Sequence, residues 1–507
     1  MPIQQMLLGA GGKLKPGMEF RVWQANSGNG SDATMIANST SNNFWALSDG
    51  RVVISGNGED WTDVRSGSGQ TLGWMVTSTD TKTIAKSRYL WGSTSQGEQR
   101  GIYPYRGPKS SSTDLFITPI YGYYYVYSGS ARKNYLYIQI LDSLANDLAI
   151  LKRWRWNYQS YYTMSSIYFY TKDGTDDDYV TVFQDYASSG RSGQNVRIQN
   201  MNITSSSISI SNTRYIGGSN NNGTTLASCT SDSSGNVYIN GNTQEFTSPT
   251  RYIIIKANPS SGIIWERNYH QGSSSAYGSA VCEVDSNGNV YTSQTWGGQS
   301  TTSPANGYKC GLMKHNSSGT LQWAVSWNTV DAYMDGSVMI NDKLYILVRY
   351  RPGSDNWSVV RPIIAEIDIS DGSINWQNKI DYTDDRFKYY FGQNQGRYMR
   401  ADKDNNLAIM FRYFEDTDGS SIITKYGTAF ATGIDSSGGV GDGTIGSLMS
   451  YTSTNLMSLT DCSSELTSNT DELVEGTFTV GNINNNTSSE FNTATTANQT
   501  LTNMNDQ

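Results

Sequence analysis

The 507-residue sequence predicts an all-β chain of repeated antiparallel sheets, and three observations carry that prediction. One passage recurs three times between Cys229 and Trp376, as ASCTSDSSGNVYINGN…RYIIIKANPSSGIIW, AVCEVDSNGNVYTSQ…KCGLMKHNSSGTLQW and SVMINDKLYILVRY…IIAEIDISDGSINW. Its tyrosines Tyr238, Tyr291 and Tyr345 are 53 and 54 residues apart, and its closing tryptophans Trp265, Trp323 and Trp376 are 58 and 53 apart. Inside each passage, short runs alternate apolar with polar residues, which is the pattern of strands buried on one face. A period of about fifty residues holding four such runs suits sheets repeated around an axis. The expected architecture is therefore a β-propeller of about seven four-stranded blades with extended N- and C-terminal arms. The structural rival, a β-solenoid, normally has shorter coils.

Taken in order, residues 1–39 read as an N-terminal attachment segment. Its short apolar run, Met6, Leu7 and Leu8, is followed by Gly9, Gly11 and Gly12 and is expected to dock on a neighbouring subunit, because a terminal segment stays loose unless something ties it down. The propeller is expected over 40–450. Its first unit is NNFWALSD, GRVVISGN, TLGWMVTS and TIAKSRYLW, with a hairpin signal at Asp49-Gly50. The second is LFITPIYG, YYYVYSGS, NYLYIQILD and AILKRWRW. The third is SSIYFYTK, DYVTVFQDY, NVRIQNMN and SISISNTRY, with Thr181 standing 57 residues ahead of Tyr238. The three clear units follow. A last one reads RYMRAD, NNLAIMFRY, SIITKYG and a fourth strand within ATGIDSS or TIGSLMSY. Residues 451–507 form a Ser/Thr/Asn-rich arm, expected to be disordered alone and ordered by a partner, with strand character at GTFTVGN.

Within a clear unit the second run (NVYIN, NVYTS, KLYIL) alternates, while the third (YIIIKA, CGLMKH, IIAEID) is more continuously apolar, as for a strand covered on both faces. The turn after it ends in Gly262, Gly319 or Gly372, where a positive φ is expected. Each tryptophan then falls on the fourth strand. Trp265, Trp323 and Trp376, with Tyr238, Tyr291 and Tyr345, are read as blade-packing residues, since stacked repeats require contacts between neighbours.

Chemistry is sparsely signalled. A net charge of −8 disfavours nucleic acid, whose phosphates call for a basic face; the cluster Lys152, Arg153 and Arg155 is the one exception. Cys229, Cys282, Cys310 and Cys462 lack metal or disulfide spacing and read as reduced residues of a chain folded in a cytoplasm. Two histidines leave little room for His-based catalysis or metal clusters. No signal peptide is read at the start, and no run approaches the ~18 apolar residues of a membrane span. The acidic runs at Asp173 with Asp176, Asp177 and Asp178, and at Asp402 with Asp404, lack the glycine and distal glutamate of a calcium loop. No nucleophile elbow, phosphate loop or dinucleotide fingerprint occurs, and no carboxylate pair is marked for glycoside hydrolysis. The tyrosine-rich runs Tyr121 to Tyr127 and Tyr158 to Tyr170 could stack on sugars or protein, although alternation puts half of each in the core. The expectation is no catalytic residue, no metal, no cofactor and no enzymatic activity.

The D-x-x-G-N-V-Y and S-G-x-x-W patterns resemble bacterial repeat propellers and, more loosely, the tryptophan-docking repeats of quinoprotein dehydrogenases. The opening MPIQQMLLGAGG resembles the N-terminal peptide shared by many structural proteins of marine bacteriophages, cyanophages especially, where it precedes quite different bodies. That resemblance implies a virion protein assembled in a host cytoplasm in multiple copies. It would be a tail component (fibre, nozzle or adhesin-type) serving assembly, host-surface attachment, or both. The partners implied are other virion or tail proteins and a host-surface glycan or receptor. The alternatives are a capsid decoration protein and a glycan-active or quinoprotein-like enzyme on a propeller scaffold, which fold alone does not separate.

Overall fold

The computed structural model describes 36 strands between Glu19 and Asn503, with residue 172, residue 250 and the connections 232–236, 259–261, 285–289, 316–320, 341–342 and 368–373. Side-chain burial is described for parts of 168–407. Among these residues there is no helix. The strands form seven sheets, in chain order over 44–92, 96–158, 165–216, 224–270, 276–327, 331–382 and 387–434. In five of the seven sheets consecutive strands pair antiparallel as a run of hairpins, and in the second and seventh the first two strands both pair with the third. This is an all-β, propeller-like architecture.

The fourth sheet shows why the sequence folds this way. Thr224–Ser231, Val237–Thr243, Arg251–Asn258 and Gly262–His270 pair in that order. The third strand is apolar on both faces, with Ile253, Ile254 and Ile255 all fully buried. Each such side chain contributes about 1.5–3 kcal/mol of burial. Gly262, Gly319 and Gly372 have φ of 96°, 81° and 82°, so the turns before the tryptophans adopt the conformation that only glycine enters freely.

Three features depart from the sequence reading. Leu115–Tyr125 is one strand rather than two, because its glycine at Gly122 is held by pairing with Tyr135. The second sheet's first strands are instead Gln96–Gln99 and Tyr103–Tyr105, both paired with Leu115–Tyr125. In the third sheet the hairpin bonds Lys172 N to Asp178 O, as Asp232 N bonds Asn236 O in the fourth, so Val180 rather than Thr181 stands level with Tyr238.

The seventh sheet is completed from the far end of the chain. Phe387–Tyr389 and Met399–Ala401 pair with Leu407–Asp416, and that strand pairs with Ile423–Ile434. The next strand out is Glu19–Ala25, antiparallel, with Trp23 opposite Thr428. Ile445–Ser447 lies outside it in parallel. The fourth strand expected near 430–450 is thus supplied by residues inside the 1–39 segment. The first strands of the fourth, fifth and sixth sheets lie beside one another. Met399–Ala401 lies beside both the sixth sheet's Asp331–Ile340 and the first sheet's Phe44–Ala46.

The C-terminal segment adds an outer strand to five sheets in reverse order. Met457–Asp461 pairs with the sixth, Ser468–Thr470 with the fifth and Val474–Gly476 with the fourth. Phe491–Thr493 then pairs with the second and Gln499–Asn503 with the first. All five pairings are antiparallel.

Candidate functional site

The described residues that combine charge, hydrogen bonding and burial form rows across the middle sheets. In the fourth sheet the register aligns Tyr238, Lys256 and Trp265; in the fifth it aligns Tyr291, Lys314 and Trp323; in the sixth, Tyr345, Glu366 and Trp376. All three tyrosines are fully buried. Each lies against its own sheet's tryptophan, with ring centroids 6.2, 6.1 and 6.1 Å apart. Lys256 and Lys314 place their ammonium groups 4.9 and 5.5 Å from the tyrosine ring centres, within cation–π range.

The D-x-x-G-N-x-Y motif is the device that fixes the start of the row in the fourth and fifth sheets. Asp285 Oδ1 accepts from the backbone N–H groups of Asn287 and Asn289, and Oδ2 from Asn289 Nδ2 and the Tyr291 hydroxyl, at 2.8 to 3.0 Å. Asp232 repeats this with Ser234, Asn236 and Tyr238, and Lys256 Nζ stands 3.6 Å from its Oδ2. Gly235 and Gly288 close these turns at φ of 73° and 77°. A carboxylate with four donors satisfies the turn, and the phenol is locked as a donor. The sixth sheet replaces this with a two-residue turn, Asn341 and Asp342, at φ of 51° and 55°. Asp342 accepts from Ser286 N and Oγ of the preceding sheet, which holds its carboxyl below the usual range.

The tryptophans reach across the seams between sheets. Trp265 Nε1 donates to Ser317 O (3.0 Å) in the fifth sheet's turn, and Trp323 Nε1 to Ile369 O (3.2 Å) in the sixth's. Lys314 Nζ donates to the same Ile369 carbonyl at 2.7 Å. Trp376 turns the other way, donating to Glu366 Oε2 (3.0 Å) of its own sheet. The sequence missed a fourth member of this set. On the third sheet's outer strand, Ile208–Ile216, Arg214 donates through Nε to Pro259 O at 2.6 Å and through Nη2 to Ser260 O, both in the fourth sheet's turn. Its guanidinium does there what the indole does later.

The seam between the fourth and fifth sheets also holds His315, fully buried, with Nε2 2.5 Å from the Tyr269 hydroxyl and its ring 6.2 Å from that of Trp265. Burial, and after it the positive Arg267, push its pKa down to about 3. The ring is neutral at physiological pH. Burial likewise holds the Tyr238 and Tyr291 phenols well above their usual range, reinforced by Asp232 and Asp285 respectively. Burial raises the Cys310 thiol too, with Asp335 adding to it. The Tyr238 and Tyr291 phenols, the Cys310 thiol and the His315 ring are thus held in their neutral forms.

Of the remaining sequence expectations, Met6, Leu7 and Leu8 lie outside the described residues, as do Cys462, Asp173, Asp176, Asp177, Asp402 and Asp404. Asp178 accepts from Asn202 Nδ2 at 2.7 Å. Cys229, Cys282 and Cys310 are buried and are not joined in disulfides. Among the described residues no group of three His, Cys, Asp or Glu side chains comes together, and no helix is long and apolar enough to cross a membrane.

No family model matches the chain, and no curated protein matches it. Among solved structures the chain is similar to one titled "Phage phi92 endosialidase", at 12% identity and a TM-score of 0.38, over 79% of this chain and 69% of that one. This finding corrects the expectation of a non-enzyme: the similar chain is an enzyme by its title, so that expectation is withdrawn. A likeness of this size assigns the present chain neither a fold nor an activity.

Proposed function

We propose that this chain is a bacteriophage structural protein associated with the tail, carried in multiple copies and serving assembly, host-surface attachment, or both. In this reading the seven sheets close into one ring. Residues 40–450 supply most of that body, 1–39 the attachment segment and 451–507 a C-terminal arm. Its partners are other virion or tail proteins and a host-surface glycan or receptor.

The observation that carries the reading is where the chain's opening peptide is tethered. MPIQQMLLGAGG resembles a peptide shared by marine phage structural proteins, and it stands six residues ahead of Glu19–Ala25. That strand is bonded along its length to Ile423–Ile434. Ten residues separate Leu8 from Glu19, a reach of at most about 40 Å, so whatever Met6, Leu7 and Leu8 dock on lies within that distance of the seventh sheet. An apolar tag tethered to a bonded strand is suited to docking, because once it is held the body stays at high local concentration beside its neighbour.

Deleting residues 1–12 tests this. The truncated chain is expected to keep its far-ultraviolet spectrum and melting temperature and to be absent from purified particles. Normal incorporation of the truncated chain would overturn the proposal.

A further inference from the structure

A sheet's outer strand leaves a row of N–H and C=O groups unpaired, and a second copy of the chain can bond to them. The sixth, fifth and fourth sheets end on Ile374–Tyr382, Leu321–Trp327 and Gly262–His270. Each of these has an irregularity one residue before its tryptophan, where the register shifts. Beyond it the strand continues straight, and the C-terminal strands pair on that straight part alone: Asn268–His270, Val325–Trp327 and Asn378–Tyr382. The bulge blunts the inner half of each edge. The added strand covers the other half.

Two further observations bear on what the added strands do. Their sequences agree only in pairs, MSLTD with QTLTN and SNT with FNT, while VEG matches neither, so main-chain bonding is the one element common to all five. The third sheet, whose outer strand ends at Ile216 two residues after Arg214, carries no added strand among the described pairings.

We infer that the C-terminal segment is an edge guard. It occupies in cis the strand-accepting edges that would otherwise take a strand from a second copy of this chain. Pairings of three to five residues contribute only a few net hydrogen bonds each, so the guard is weakly held and can be lifted one sheet at a time.

The test keeps the full chain. Successive N–H groups of a strand point to opposite sides, so two adjacent prolines remove the donor facing the partner whichever parity applies. Ser468→Pro with Asn469→Pro is combined with Val474→Pro and Glu475→Pro, and the control carries Asn485→Pro with Asn486→Pro, between guard strands. Hydrogen exchange at 325–327 and 268–270 is expected to rise about tenfold in the first variant, with exchange at 343–351 and 208–216 unchanged. Sedimentation should show this variant self-associating at concentrations where the wild type and the control do not. Adding a free peptide of residues 457–476 should reverse both effects. Unchanged exchange at the outer strands would overturn the inference, and so would faster exchange without self-association.

Discussion

The seam between the fifth and sixth sheets and the row that faces the seventh carry the same tryptophan on the same strand, and the two behave differently. Trp323 sends its indole N–H across the seam to Ile369 O, whereas Trp376 sends its own back to Glu366. Two causes combine. The fifth sheet has Lys314 at the centre of its row, a donor that cannot accept, and the sixth has Glu366, an acceptor already held by Lys343 at 3.3 Å and Asn375 at 3.1 Å. In addition, the turns receiving Trp265 and Trp323 join the third and fourth strands of the next sheet. The seventh sheet has no such hairpin, because its fourth strand is Glu19–Ala25. A repeated residue takes its role from what the neighbouring repeat offers it.

The comparison breaks most readily at the tryptophans. Trp265→Ala and Trp323→Ala should each cost about 3–5 kcal/mol in chemical denaturation, combining lost burial with a lost inter-sheet bond. Trp376→Ala should cost at least about 1 kcal/mol less, since no neighbouring sheet is released. Equal losses at Trp323 and Trp376 would show that the direction of the indole is incidental.

Acid should separate the seams next. His315 is level with Ile367 in the sixth sheet, so of the fifth and sixth sheets the fifth alone holds an ionisable ring at this position. Its folded pKa lies below the unfolded one, so the neutral ring's contribution is complete above about pH 6.5 and is lost as pH falls toward 3. Denaturation should show a loss on the order of 3 kcal/mol by pH 4 relative to pH 7, and His315→Phe should flatten it. Hydrogen exchange at 290–296 should quicken with acid before exchange at 361–367 does. An acid response unchanged in His315→Phe would put its origin elsewhere.

The smallest effect is expected at the turns. A Cβ on Gly319 would sit 2.6 Å from Trp265 Cδ2, and one on Gly372 2.8 Å from Trp323 Cε3, both at positive φ. Gly319→Ala and Gly372→Ala should each cost about 2–3 kcal/mol, from strained backbone and crowding together. Gly288→Ala, also at positive φ but 3.3 Å from the nearest atom, Ser317 Cβ, should cost about 1 kcal/mol. A thermal melt series that did not rank them so would mean the indole yields freely.

Much of the middle of the molecule was legible because its signals are local. Alternation marks the strands, a Ser-Gly or Asp-Gly before each tryptophan marks a turn with positive φ, and a fixed spacing marks the repeat. Arg214 escaped because the job it shares with Trp265, donating to a carbonyl of the next turn, can be done by either side chain, and spacing searches look for identity. Leu115–Tyr125 was split because Gly122 reads as a break when its partner Tyr135 is unknown. The tail read as disordered because Ser, Thr and Asn give no apolar face; its order comes from main-chain bonds to edges that only the folded body presents.

By itself the sequence determined an all-β chain in units of just over fifty residues, since alternation and turn chemistry act within a few residues of one another. Tertiary structure decided which distant strands share an edge: Glu19–Ala25 beside Ile423–Ile434, and the C-terminal strands laid backward across five sheets. The physical reason is that backbone hydrogen bonding is nearly blind to side-chain identity. A strand's existence is written in its own residues, but its partner is chosen by whichever edge the rest of the fold leaves within reach.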